Sequence, residues 1–191
     1  MIPVPAEFRY CPVCASQLSR EPRDGRQLQC CPAPGCGHVF WNNPVPVVTA
    51  IVEHEGELLL ARNAQWPEDV FTVIAGFLEP EEEPADAVLR EVKEELDLDG
   101  EVVEFLGMHS FAVMNQLILT YHVRASGPVT LNEELAEYIR VPFSEGFYWP
   151  VSTGLVLRDF LRARGHEPEC RPLPAAMRAH VEAQAGRSLD D

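Results

Sequence analysis

GFLEPEEEPADAVLREVKEELDL, residues 76–98, is the stretch that decides the fold of this 191-residue chain. Pro84 suits the first turn of a helix, and acidic residues at 81 to 83 favour a helix N-terminus, so a helix is expected from about Pro84. Ala85, Val88 or Leu89, Val92 and Leu96 then recur at helical spacing as one apolar stripe. Glu91, Glu94 and Glu95 are expected off that stripe, related by i,i+3 and i,i+4, so that their carboxylates project from neighbouring turns. Like charges so placed repel by roughly 0.2–0.5 kcal/mol per pair. A hard divalent cation would reverse that sign, because Mg²⁺ and Mn²⁺ take carboxylate and phosphate oxygens as ligands. The competing interpretation is a solvated acidic helix face. Gly76 and Glu82 weigh against it, since both fall into register upstream.

Gly76, five residues, Glu82, seven residues, Arg90-Glu91, two residues, Glu94-Glu95 and then Leu98 resemble the Nudix box of the Nudix hydrolases. One position departs: the family has glycine where this chain has Asp97. That glycine ends the helix in a left-handed conformation, which Asp tolerates better than most residues, so a slightly altered helix end and a retained site are expected.

The first 36 residues hold five of the six cysteines, in pairs. Cys11 with Cys14, and Cys31 with Cys36, have spacings that suit a tetrahedral structural Zn²⁺. Cys30 neighbours Cys31 and leaves the register open; Cys31 is preferred because Cys30 would leave five residues inside the second pair. Reduced cysteines without metal are the alternative, and His38 is a minor alternative ligand. These knuckles and the following GHVFWNNP, residues 37–44, resemble the zinc ribbon of the NADH pyrophosphatase branch. EELAEYIRVPFSEGF, residues 133–147, resembles the closing segment of ADP-ribose and FAD pyrophosphatases of the same group.

The resemblance implies an α/β fold: a Nudix α/β/α sandwich with a mixed β-sheet, preceded by a small zinc ribbon. The expected divisions are a ribbon over 1–44, a Nudix hydrolase domain over 45–165, and a C-terminal tail over 166–191, either a loosely attached helix or disordered. Asp24-Gly25 is read as the ribbon's turn. Val45 to Arg62 reads as a hairpin, Phe71 to Leu78 as a strand and loop. Further strands are expected near 102–111, 117–124 and 138–141, with Ser152 as N-cap of a helix to about Arg164.

Carried over residue by residue, the resemblance makes Glu91, Glu94 and Glu95 the leading Mg²⁺ or Mn²⁺ ligands, with the backbone carbonyl of Ala75 beside Gly76 as a further one. Arg90 orients a box glutamate, and Glu82 has a structural or outer-sphere role. Glu137 completes the metal or general-base set, unless it is an ordinary surface glutamate. Trp41 and Phe77 match positions that stack on the substrate's base, with ribbon or core packing as the alternative for both. Trp66 and Phe71 are read as a pocket rim.

The implied reaction is attack of a metal-activated water on a P–O–P linkage in a nucleotide such as NADH, ADP-ribose or FAD. MHSFAVMNQL, residues 108–117, lacks the aromatic-proline stretch of the NADH subgroup and moves the expectation towards ADP-ribose or FAD. Alternatives are a hydrolase of nucleoside triphosphates, a remover of RNA caps, or a non-catalytic nucleotide-sensing ribbon module.

A composition that is 46% hydrophobic supports one medium domain plus a small appendage. The net charge of −15 arises entirely after residue 44, since residues 1–44 hold four Arg against three acidic residues. So acidic a body needs cations to hold a diphosphate, and it argues against nucleic-acid or membrane-surface partners. The N-terminus has no basic stretch followed by an apolar run, so a cytoplasmic location is expected. The resemblance adds a homodimer with the ribbon near its interface.

Overall fold

The computed structural model describes residues 8–186 and 188–190. Residues 1–7 of the expected ribbon, and 187 and 191 of the expected tail, lie outside the described residues. The chain divides into two compact units, Met1–Pro44 and Val45–Asp191.

In the first unit β1 (Ser19–Arg23), β2 (Arg26–Cys30) and β3 (Val39–Phe40) form an antiparallel sheet in that order. Asp24 and Gly25 join β1 to β2 with φ of 46° and 76°. Two successive positive φ values give the hairpin turn whose twist matches its strands. Among the described residues of this unit only Cys11, Leu28 and Cys30 are buried. So small an apolar core needs a further cross-link to hold a fold.

The second unit is built on β4 (Val45–His54), whose near-continuous apolar run is buried on both faces. One edge of β4 pairs in parallel with β8 (Gln116–Ser126). Its other edge is shared: β5 (Glu57–Asn63) takes residues 52–54 and β6 (Ile74–Phe77) takes residues 47–50, both antiparallel. Outside these lie β7 (Asp99–Phe111) on β8 and β9 (Leu135–Val141) on β5, giving a mixed sheet of order β7-β8-β4-β5-β9 with β6 on β4. β10 (Phe147–Tyr148) and β11 (Glu169–Cys170) add a short parallel pair that the sequence pattern did not announce.

Alternate residues of the sheet face two helical layers. Val48, Ala50, Val52, Leu59 and Ala61 pack with Ala87, Val88, Val92 and Leu96 of α1 (Pro84–Leu96). Ile51, Leu58 and Leu60 pack with Leu157, Phe160 and Leu161 of α2 (Thr153–Ala163) and with Met177 of α3 (Ala175–Ala185). Each of the larger side chains here, Val, Leu, Ile, Phe or Met, is worth about 1.5–3 kcal/mol when fully buried. The α/β/α sandwich is therefore present. Ser152 does precede α2, but with φ 49° and no side-chain cap bond. The segment after residue 165 supplies α3, and its Met177 is 8% exposed within the second core. Among the described residues no helix is long and apolar enough to cross a membrane.

Candidate active site

β6 and α1 place the box residues. The apolar stripe turns α1 onto the sheet, and its burial pattern differs from expectation at one glutamate. Glu95 does not lie off the stripe: it is 8% exposed, between Val92 and Leu96 of the buried face. Glu91 has a side chain 12% exposed, while Glu94 is open to solvent at 57%.

Arg90 organises the group. A guanidinium carries five N–H donors, and five bonds are present. Nε and Nη2 donate to the two oxygens of Glu82 at 2.8 and 3.1 Å, Nη1 donates to Glu91 at 2.8 Å and Glu94 at 3.1 Å, and Nη2 also reaches the Phe77 carbonyl at 3.1 Å. Glu82, which also accepts the Glu79 N–H at 3.3 Å, is held below the usual carboxylate range by Arg90. The same partners raise Arg90 further above its already high value, so it stays a fixed cation. It pins the loop after β6 to α1.

Gly76 is required by space rather than by φ. A Cβ there would sit 2.0 Å from the Glu91 carboxyl carbon, so the carboxylate lies directly over the backbone of β6. Ala75 precedes it, exposed, in register with Thr49 of β4.

The carboxylates are not electrostatically at ease. Burial raises Glu91, against the opposing bond from Arg90. Glu95 is pushed up to about 8, first by burial and then by the charges of Glu91, Glu134 and Glu94, with no cation among the causes. A desolvated carboxylate beside three others suits a cation. The donor set of oxygens therefore fits a hard divalent ion. Glu91 can serve Arg90 with one oxygen and still offer free lone pairs.

Besides Glu137, the residue expected from the sequence, the nearby Glu134 bears on the group through its charge. Glu137 is tied to Arg62 at 2.7 Å and is 47% exposed. It stands in register with Arg62, and the register shifts between Arg62 and Asn63, so that Asn63 faces Leu135. Such a bulge re-aims the side chains beyond it. Beyond it lies Glu134, whose charge acts on both Glu91 and Glu95. The available sequence signal was Asn132, two residues before, a residue type that makes Asx turns.

The helix ends as the Asp97 substitution suggested. Asp97 is left-handed, φ 55° and ψ 25°, with its N–H on the Lys93 carbonyl at 2.9 Å. Lys93 Nζ lies 2.8 Å from the Asp97 carboxylate. Of the aromatic positions, Phe77 is 38% exposed on β6 and Trp41 is 42% exposed after β3 in the first unit. Trp66 and Phe71 pack partly buried against the second core rather than standing free.

In the first unit the Sγ atoms of Cys11, Cys14, Cys31 and Cys36 lie within 4.8 Å of one another. Among the described residues no other set of three or more metal-ligating side chains gathers so closely. Cys30 is 2% exposed, with its thiol towards the Leu28 carbonyl, outside this set. Hydrogen bonds from Ser16 lower the Cys14 thiol to about 6. Against a lowering bond from the Ala33 backbone, burial and the neighbouring thiols push Cys31 up to about 12. One thiol ionises at the expense of another, and a dication is what would let all four ionise.

A family model described as NUDIX domain matches residues 43–158. Curated relatives include proteins called NAD-capped RNA hydrolase NudC. That of Pseudomonas fluorescens is 28% identical over 132 residues, 69% of this chain and 46% of the relative. That of Stutzerimonas stutzeri is 30% identical over 122 residues, 64% of this chain and 43% of the relative. The chain thus spans about half the length of the curated relatives it matches. Among solved structures, a Nudix hydrolase from Nitrosomonas europaea aligns with TM-score 0.68 at 21% identity, over 86% of this chain and 97% of that one. An ADP-ribose pyrophosphatase from Streptococcus suis aligns with TM-score 0.51 at 20% identity, over 68% and 99%. The box on β6 and α1, the sandwich around it and the match over residues 43–158 together make this chain a member of the Nudix family.

Proposed function

We propose that this chain is a divalent-cation-dependent pyrophosphohydrolase that cleaves a nucleoside diphosphate linked to a second group into two monophosphates. The observation that carries the proposal is Glu95: a carboxylate 8% exposed on the buried face of α1, raised by burial and by the charges of Glu91, Glu134 and Glu94. Glu91, Glu95 and Glu134 would hold Mg²⁺ or Mn²⁺, with Glu94 and the Ala75 carbonyl beside them. When bound, such ions polarise phosphoryl oxygens and lower the pKa of a water nucleophile. Arg90 fixes the orientation of Glu91 and Glu94 and, through Phe77, the start of the loop that a diphosphate would meet.

Phe77 offers an exposed ring one residue beyond Gly76, suited to stacking on a base at about 1–3 kcal/mol. Residues 1–44 are taken as the ribbon, with Zn²⁺ on Cys11, Cys14, Cys31 and Cys36. Residues 45–165 are taken as the catalytic domain, with the segment from 166 completing its second core. A homodimer is expected, and light scattering would show it.

For substrate, ADP-ribose and FAD rank ahead of NADH, because residues 108–117 lack the NADH-type stretch. A second substrate has a specific observation in its favour: the curated relatives are named for NAD-capped RNA. The surplus of acidic residues after position 44 opposes RNA. Product analysis with ADP-ribose, FAD, NADH and a short NAD-capped RNA, each with Mg²⁺ or Mn²⁺, ranks them. Release of two monophosphates, or of a 5′-monophosphate RNA, supports hydrolysis; intact substrate in every case contradicts it.

A further inference from the structure

The loop between β8 and β9 is sewn to the end of α1. Thr130 N–H donates to the Leu96 carbonyl at 2.9 Å and Asn132 N–H donates to the Glu95 carbonyl at 3.2 Å. A helix leaves its last carbonyls without intrahelical partners, and this loop supplies two of the donors. Asn132 has a second attachment: its side-chain Oδ1 accepts the N–H of Glu134 at 3.0 Å. The carbonyl of Glu134 in turn accepts the Ala64 N–H at 2.8 Å, just past β5. Asn132 therefore holds the backbone of Glu95 through its main chain and the backbone of Glu134 through its side chain. Two residues of chain reach at most about 7 Å, and the Asx turn shortens that span. Asn132 thus ties the helix end that bears Glu95 to the backbone of Glu134, beside the bond that the Glu134 carbonyl accepts from Ala64.

We propose that Asn132 is a positioning residue: its carboxamide fixes Glu134 against Glu91 and Glu95 and so sets the affinity of that group for a divalent cation. The inference rests on the assignment of Glu134 to the cation site. Removing the carboxamide leaves the bond from Asn132 N–H to Glu95 intact, because that bond is made by the main chain. The loop stays capped to the helix, while Glu134 keeps its bond from Ala64 N–H but loses the tie that links it to the helix end. Partners that orient a metal ligand typically change metal affinity by about 10- to 100-fold when removed.

The test is binding of Mn²⁺ alone, followed by electron paramagnetic resonance on the full chain with its cysteine site loaded with zinc. Wild type is compared with Asn132→Ala, Asn132→Ser, Glu134→Gln and the double variant Asn132→Ala/Glu134→Gln. Asn132→Ala is expected to weaken Mn²⁺ binding about 10-fold with little change in thermal midpoint. Asn132→Ser, whose hydroxyl can accept the same N–H, is expected to recover most of the loss. In the Glu134→Gln background, Asn132→Ala should add nothing. Wild-type affinity in Asn132→Ala beside a weakened Glu134→Gln would overturn the positioning role and leave the site assignment standing. Wild-type affinity in Glu134→Gln would overturn both. An equal further loss in the double variant would show that Asn132 acts by another route and would also overturn the proposal.

Discussion

The thiols of the first unit and the carboxylates of the second are both groups of ionisable side chains, built in opposite ways. Four Sγ atoms lie mutually within 4.8 Å and face one another. The carboxylates are spread along a helix, a strand end and a loop, and Arg90 occupies part of their ligand capacity. The first arrangement is closed: a tetrahedral ion would use every donor and have no position left for chemistry. The second is open, and an ion there would keep positions for water and phosphate. The difference separates a site that holds a fold from a site that does work. It also predicts where each perturbation should register, in folding for one and in turnover for the other.

The largest expected effect is loss of the thiol-bound ion. Structural zinc in small domains contributes about 10–16 kcal/mol of apparent binding energy. Chelation, or Cys14→Ser, should unfold residues 8–44 while the second unit keeps its own cooperative melt; hydrogen exchange would locate the loss. Cys30→Ser should leave zinc content unchanged, because its thiol points away from the set.

Glu95→Gln comes next, and it moves two quantities in opposite directions. Turnover should fall about 10³-fold, while the fold without Mg²⁺ or Mn²⁺ should become more stable at pH 8. The sign follows from Glu95 titrating at about 8 in the folded chain against an ordinary 4.5. Its contribution is fully present below about 4.5 and is lost as pH rises through about 8. Thermal midpoints of zinc-loaded wild type should therefore drop across that window relative to Glu95→Gln. A parallel pair of pH curves would mean Glu95 is not buried among charges. Gly76→Ala should lower turnover about 100-fold and stability by about 1–3 kcal/mol, since its methyl would displace the Glu91 carboxylate. Wild-type kinetics in that variant would remove Glu91 from its assigned place.

The smallest effect is expected at Asp97→Gly. Glycine relieves a left-handed residue at about 1–2 kcal/mol, but it deletes the exposed pair with Lys93, worth about 0–1 kcal/mol. A net gain under about 1.5 kcal/mol with unchanged turnover would confine the departure at this position to the helix end.

The sequence carried the sandwich and most of the box because their signals are local. Pro84, the apolar stripe and the left-handed stop at Asp97 each act within a turn or two of chain, and the near-continuous apolar runs of β4 and β5 mark strands buried on both faces. What it concealed depends on distant chain. Glu95 looks like its exposed neighbour Glu94 until the sheet and the loop before β9 cover it. Bringing Glu134 forward beside Glu137 as a candidate required the register shift opposite Arg62 and the bonds from Thr130 and Asn132 to the helix end. The short β10–β11 pair and the docking of Met177 were invisible for the same reason.

The most direct test of the contrast between a holding site and a working site is product analysis on the zinc-loaded chain with ADP-ribose and Mg²⁺, with and without Glu95→Gln. Wild type should release AMP and ribose 5-phosphate, and the variant, equally folded, should release neither. Equal release by both, or none by wild type with any of the four nucleotides, would contradict the assignment of the carboxylate cluster as the reactive centre.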